Sequence, residues 1–189
     1  MVMKVIGLTG TIGSGKDVVR ETLEKKFDTV SVRLSDLLDT NELKKRGIKI
    51  TRDIQQDLGN GLRQKYGVHV LAKLAIDLMK KTSEIKIIDG IRNPGEVDFL
   101  RQQFGEDFKL IAIDASQQVR FERVVKRNRD IDPKKWEEFI VVDERDQGKD
   151  QPEYGQQVRK CIEMADAIIQ NDDTLEEFKR KVEDAIKEI

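Results

Sequence analysis

The chain has 189 residues, 38% of them hydrophobic and 38% charged, enough for one globular domain with a substantial core. Lys+Arg 35 against Asp+Glu 36 leaves a formal charge of −1, which argues against a general nucleic-acid or membrane-binding surface, so any positive site must be a local cluster. One cysteine, Cys161, excludes an internal disulfide, and one histidine, His69, leaves no His-based zinc site; with no apolar run of membrane length and no signal peptide expected, the chain reads as cytoplasmic.

The first element is a short apolar run, Lys4–Thr9, read as a buried strand. It leads into Gly10–Thr11–Ile12–Gly13–Ser14–Gly15–Lys16–Asp17, after which Val18 to Phe27 has helical spacing, with Val18, Val19, Leu23 and Phe27 on one side. Strand, glycine-rich loop, Gly-Lys and helix together are the context of a phosphate-binding loop. Glycines let backbone N–H groups turn inward around a phosphate, and the helix N-terminus adds its positive dipole end. Lys16 supplies a charge for the β and γ phosphates, and the stretch from Gly10 to Val18 is expected to hold ATP.

Thr29–Leu34 reads as strand two, and Ser35 as the cap of a helix over Leu37–Lys45 that Gly47 ends. Helices follow over Arg52–Tyr66 and Val68–Lys81, separated by Gly67; Leu71, Leu74, Ala75, Leu78 and Met79 form the apolar face of the second. Ile85–Asp89 is strand three. Asn93–Pro94–Gly95–Glu96 is a capping box with proline at the first helical position, opening a helix to about Phe104.

Lys109–Asp114 is strand four, and a helix over Gln117–Arg127 follows. Asp132–Pro133 starts another helix, carrying Trp136, Phe139 and Ile140. Asp146–Tyr154, with Gly148 and Pro152, reads as a polar, mobile surface connection. Gln156–Met164 is helical, Ala165–Asn171 is strand five, and Thr174 with Glu177 caps a last helix whose buried stripe is Leu175, Phe178, Val182, Ala185 and Ile189.

This alternation predicts an α/β fold with a parallel sheet and helices on both faces. Ligands then bind beyond the carboxyl ends of the strands, at Gly10–Asp17, Ser35–Asp36, Asp89–Arg92, Asp114 and Asn171. Phosphoryl transfer needs positioning and positive charge more than covalent help. Asp89 is a Walker-B-like acid suited to Mg²⁺. Arg92, Arg63 and Arg52 have the planar fork that grips an acceptor phosphate, with Asn60 and Asp36 as further acceptor-side candidates. Arg123 and Arg127 share a helix face with Arg129 just beyond, a set able to close over the transferring group. Asp17 stands where the motif wants Ser or Thr; it is open to direct Mg²⁺ ligation, ligation through water, or capping the helix. Asn171 is a candidate contact for the adenine edge. His69 reads as a surface or helix-end residue, Cys161 as buried and inert, and Trp136 as lid or core packing.

On these residues the chain resembles a family. Gly7–Lys16 looks like the opening of dephospho-CoA kinases, and Asp89–Gly90–Ile91–Arg92 resembles a signature of nucleoside monophosphate kinases. Asp57–Arg63, Asp89–Val97 and Ala165–Asn171 resemble both the archaeal adenylate-kinase-related P-loop proteins and the kinase-like domain fused ahead of some deoxycytidylate deaminases. Gly15–Lys16–Asp17 is also similar to the loop of phage-type deoxynucleotide monophosphate kinases. No deaminase signature accompanies it.

The resemblance implies a single three-layer P-loop kinase domain over residues 1–189, with sheet order 2-3-1-4-5. It also implies an acceptor-binding helical region at about 35–82 and a lid at about 120–150. It places the family's loop lysine on Lys16, its Asp-Gly-Arg on Asp89, Gly90 and Arg92, and its acceptor-phosphate arginine on Arg63. The implied activity is transfer of the γ-phosphoryl of ATP, with Mg²⁺, to a nucleoside or deoxynucleoside monophosphate, by a monomer or homodimer. Dephospho-CoA kinase is the second expectation, with Asp36 as its candidate base, and a nucleotide-binding regulatory module with little turnover is the third.

Overall fold

In the computed structural model, which describes residues 4–38, 40–80 and 83–187, strand β1 (Lys4–Thr9) lies at the centre of a five-stranded sheet. The other strands are β2 (Thr29–Arg33), β3 (Ile85–Ile91), β4 (Phe108–Asp114) and β5 (Ala167–Gln170), in the order β2-β3-β1-β4-β5. All pairings are parallel. The order expected from the resemblance is the one observed.

Side-chain alternation sends β-branched residues to both faces. Ile6, Leu8, Ile87, Ile111 and Ile113 pack under α1 (Lys16–Lys26) and α9 (Leu175–Lys187), against Val19, Leu23, Phe178 and Val182. Val5, Ile88 and Leu110 face the other way, toward α4 (Val70–Leu78) and α5 (Pro94–Phe104), through Leu71, Ala75, Val97 and Leu100. Residues as fully buried as Leu23 and Leu100 each contribute about 1.5–3 kcal/mol. The capping box that opens α5 is formed: Asn93 accepts from Gly95 N, and Glu96 accepts from Asn93 N.

Several local expectations are corrected. The segment after β2 is a short 3-10 turn, Leu34–Leu37, and then a separate α2 (Asn41–Lys45); Ser35 makes no side-chain cap. The next helix, α3 (Arg52–Tyr66), is capped by Thr51. Leu74 and Leu78 are exposed on α4, because Leu71, Ala72 and Ala75 already fill its inner face. Leu175 is exposed as well. Lys81 and Ile189 lie outside the described residues.

The lid consists of α6 (Gln117–Arg127) and α7 (Trp136–Gln147). Its own small core joins Val124, Phe139 and Val142 to Ile12 of the loop, and Trp136 packs on Phe121 and Phe139. The stretch from Asp146 to Tyr154, expected to be mobile, is tied down. Asp146 is the penultimate residue of α7 and 1% exposed. Asn93 Nδ2 donates to the Glu153 and Gly155 carbonyls at 2.8 Å, and Gln157 Nε2 donates to the Pro152 carbonyl at 3.1 Å. These side chains supply the order that the polar sequence of the segment does not. The short helix α8 (Val158–Glu163) then leads to β5.

Candidate active site

The loop between β1 and α1 is shaped from behind. Gly13 has φ +79°, and a Cβ there would lie 2.5 Å from the Arg120 carbonyl oxygen; Gly15 has φ +105°, and a Cβ there would lie 2.4 Å from Asn171 Nδ2. Only glycine fits either position. Helix α1 begins at Lys16 with no side-chain cap, so its first N–H groups and dipole end face the cleft. Val18 is less available than expected, since its N–H is taken by the Gly15 carbonyl at 3.0 Å.

Lys16 Nζ donates to the Gly10 and Thr11 carbonyls at 2.5 and 2.9 Å. Burial, reinforced by the nearby charge of Arg92, lowers its pKa to about 8. Facing it, Arg33 bridges two carboxylates: Nη2 reaches Asp17 Oδ1 at 2.5 Å and Nε reaches Asp89 Oδ2 at 3.2 Å. Asp17 also meets Arg129 at 3.3 Å and Arg20 at 3.6 Å. Burial raises the Asp17 carboxyl, but Arg33, Arg129 and Arg20 outweigh it and hold it below the usual carboxylate range. Two hard oxygen donors thus converge on one cation position, which fits Mg²⁺.

The cleft wall carries Arg123, Arg127 and Arg129 together with Asp36, Arg52 and Arg92. Arg52 and Arg127 both bind Asp132, at 3.0 Å through Arg52 Nε and 2.6 Å through Arg127 Nε. Asp132 therefore ties helix α3 to the lid helix α6. Arg92 is paired with the buried Asp146.

Three expected contacts are placed differently. Arg63 is 2% exposed, with Nε and Nη2 on Glu96 Oε1 at 2.9 and 2.8 Å; it lies deep beside α5 and does not line the phosphate cleft. Asn60 Nδ2 donates to Gln151 at 3.1 Å and is on neither cavity wall. Asn171 is turned to the loop: its Nδ2 donates to the Ser14 carbonyl at 2.7 Å, and its Oδ1 and carbonyl accept from Arg123 at 3.1 and 2.9 Å. Its backbone N–H goes to the Asp114 carbonyl at 2.8 Å, so its polar groups already have protein partners and it braces the loop.

A family model described as an AAA domain matches residues 6–150. A UPF0200 protein of Thermococcus onnurineus is 33% identical over 98% of this chain and 97% of its own length. One from Pyrococcus abyssi is 34% identical over 98% and 96%. The chain belongs to the UPF0200 family and to the AAA-domain family. Among solved structures, shikimate kinase from Aquifex aeolicus aligns with TM-score 0.53 at 17% identity, over 97% of this chain and 96% of that one. A gluconokinase from Sinorhizobium meliloti aligns with TM-score 0.50 at 16% identity, over 98% and 92%. This UPF0200 chain therefore has the three-layer P-loop kinase fold.

Two elements of the UPF0200 site carried no sequence signal. Arg120 is 3% exposed and donates to the Ala115 carbonyl at 3.0 Å, to the Ile12 carbonyl at 3.2 Å and, through Nη2, to Asp143 at 2.9 Å. Arg33 closes strand β2 among ordinary polar alternation. Each is one arginine among many in the sequence, and only the helix register and strand pairing aim them at the loop. His69 sits just before α4 and stacks on Phe99, with ring centres 5.0 Å apart. Burial pushes the Cys161 thiol well above its usual range, leaving it un-ionised. Among the described residues no helix is long and apolar enough to cross a membrane.

Proposed function

We propose that the protein transfers the γ-phosphoryl group of ATP, with Mg²⁺, to the phosphate of a nucleoside or deoxynucleoside monophosphate. One observation carries this reading: Lys16, on the donor side, and Arg92, on the acceptor side, are close enough for each charge to disfavour the other. Two cations held together at the end of a parallel sheet create a place for dianions to meet. Arg92 and Arg52 both line the cleft and the adjoining cavity, which suits an acceptor that brings its own phosphate.

In this reading, loop N–H groups and Lys16 hold the β and γ phosphates, and Arg52 and Arg92 orient the acceptor phosphate. Asp89 and Asp17 would hold Mg²⁺, which supplies charge neutralisation at the phosphates. Arg123, Arg127 and Arg129 face the transferring group and offset its charge. An acceptor phosphate oxygen forms a bond to Pγ as the bond from Pγ to the β–γ bridging oxygen breaks, and ADP leaves with that electron pair. A phosphate acceptor is already anionic and needs no general base. A hydroxyl acceptor would need one, and two of the three cleft carboxylates, Asp17 and Asp89, are engaged by Arg33.

The test is ADP release with Mg·ATP and a panel of ribo- and deoxynucleoside monophosphates plus dephospho-CoA. Turnover with a monophosphate and none with dephospho-CoA is expected. Turnover with dephospho-CoA alone overturns the assignment in favour of a hydroxyl acceptor, and tight ATP binding without turnover overturns it in favour of a regulatory module.

A further inference from the structure

A second cavity, with about 490 Å³ of free space, continues inward from the phosphate cleft. The two share Arg52, Arg92 and Gly90, so the arginines stand at the mouth and the remainder lies deeper, beneath α3 and α7. Leu34, Leu38 and Leu71 give the deep part apolar walls. Four polar side chains interrupt them: Gln56, Arg63, Asp146 and Gln156, exposed by 4, 2, 1 and 5%.

Each of the four has one buried polar atom with no protein partner among the described residues: Gln56 Oε1, Arg63 Nη1, Asp146 Oδ2 and Gln156 Oε1. A buried polar group without a partner costs about 1–3 kcal/mol, so four around one cavity mark a site built for a polar ligand. The other atoms of these side chains are engaged. Gln56 Nε2 donates to the Val142 carbonyl at 3.2 Å, which orients the amide so that Oε1 is the atom left over. Glu96 holds Nε and Nη2 of Arg63, leaving Nη1 as a donor. Asp146 Oδ1 is on Arg92 and Oδ2 is left as an acceptor. Gln156 adds an amide that can reverse to follow its ligand.

The cavity therefore presents two fixed acceptors, Gln56 and Asp146, and one fixed donor, Arg63. Resting on the proposed nucleotide-acceptor reading, we infer that it selects monophosphates whose base carries an exocyclic amino group beside an unprotonated ring nitrogen, as in cytosine and adenine. The amino group donates to Gln56 Oε1 and Asp146 Oδ2, and the ring nitrogen accepts from Arg63 Nη1. Uracil, thymine and hypoxanthine reverse both features: a carbonyl oxygen replaces the amino group, and a ring N–H replaces the acceptor. The monophosphate end points outward to Arg52 and Arg92 at the mouth.

The experiment compares matched pairs with Mg·ATP: CMP against UMP, dCMP against dUMP, and AMP against IMP. At least one amino-bearing member is expected to exceed its oxo partner by about 100-fold or more in kcat/KM, since an unmatched buried polar site rejects the wrong partner strongly. Gln56→Met should bring that ratio down by about tenfold or more. Equal use of both members, or preference for the oxo member, overturns the inference and leaves the kinase reading standing. Turnover of no monophosphate overturns the kinase reading instead. In that case equilibrium binding of the same pairs to the unmodified protein decides the inference, with tighter binding of CMP or AMP supporting it and equal binding of both members overturning it. The binding comparison also decides it if Gln56→Met fails to fold.

Discussion

Arg33 holds Asp17 and Asp89 at once, with Nη2 2.5 Å from the first and Nε 3.2 Å from the second. A single guanidinium thus occupies the position between the two carboxylates proposed for Mg²⁺. It also explains why a carboxylate is tolerated at the loop's last position, where it would otherwise repel the γ phosphate. Asp17→Ser removes one of the two carboxylates. The free Mg²⁺ needed for half-maximal ATP binding should rise by about tenfold or more. Titrating Mg²⁺ at fixed ATP measures it, and an unchanged midpoint removes Asp17 from the metal site.

Lys16 should make nucleotide binding depend on pH. Its pKa in the free protein is lowered to about 8 by burial and by Arg92, while bound phosphates favour the charged form. Above pH 8 the free protein has lost the proton that the complex requires, so ATP binding takes up a proton and weakens by up to about tenfold per pH unit. Below pH 8 this dependence disappears. Calorimetry in buffers of different ionisation enthalpy reads the proton uptake directly. Lys16→Arg, whose guanidinium stays charged, should lose the slope. The same shift acts on folding: the charged lysine is disfavoured in the folded state, so its cost is full below pH 8 and is relieved as pH rises from 8 toward 10.5.

Asp132 joins the acceptor helix to the lid through Arg52 and Arg127. Asp132→Asn leaves two cations facing each other without their counter-charge. The variant should lose about 3 kcal/mol in urea denaturation, the low end for breaking a buried pair, because Arg52 and Arg127 remain partly wet. Burial raises the Asp132 carboxyl, but Arg127 and Arg52 outweigh it and hold it below its ordinary range. The carboxylate's contribution is therefore complete above about pH 4 and lost as pH falls through the lowered folded-state pKa. The stability gap between the natural protein and the variant should narrow in acid, and a pH-independent gap would assign the loss to packing.

Arg120 and Asp143 form a buried pair, 3% and 0% exposed, directly behind the loop. Arg120→Met should destabilise the protein by about 3–5 kcal/mol and also weaken ATP binding, because the Ile12 carbonyl loses its donor. Thermal unfolding and ATP affinity, measured well below the unfolding temperature, separate the two effects. Unchanged affinity in the folded variant would make Arg120 a stability residue alone.

The chain order of strands and helices was legible in the sequence because hydrophobic periodicity and capping are local. Lys4–Thr9, the glycines that follow and the Asn93–Glu96 capping box each carry their meaning within a few residues. The phosphate cradle, Lys16 and the parallel sheet follow from these alone. The partners of each charged side chain do not, since 38% of the residues are charged and a one-dimensional pattern does not say which acid meets which arginine. Arg63 illustrates this: its place near the acceptor region was readable, but its burial against Glu96 depends on how α3 packs on α5. Asp146 was read as part of a mobile connection because its neighbours are polar, whereas the fold makes it a buried acid facing Arg92. The sequence by itself determined a P-loop kinase fold with a phosphate site at Gly10–Asp17. Only the tertiary structure decided which arginines remain open to phosphate and which hold Asp132, Asp143 or Glu96, because ion pairing across 50 or more residues is settled by packing and burial rather than by local propensity.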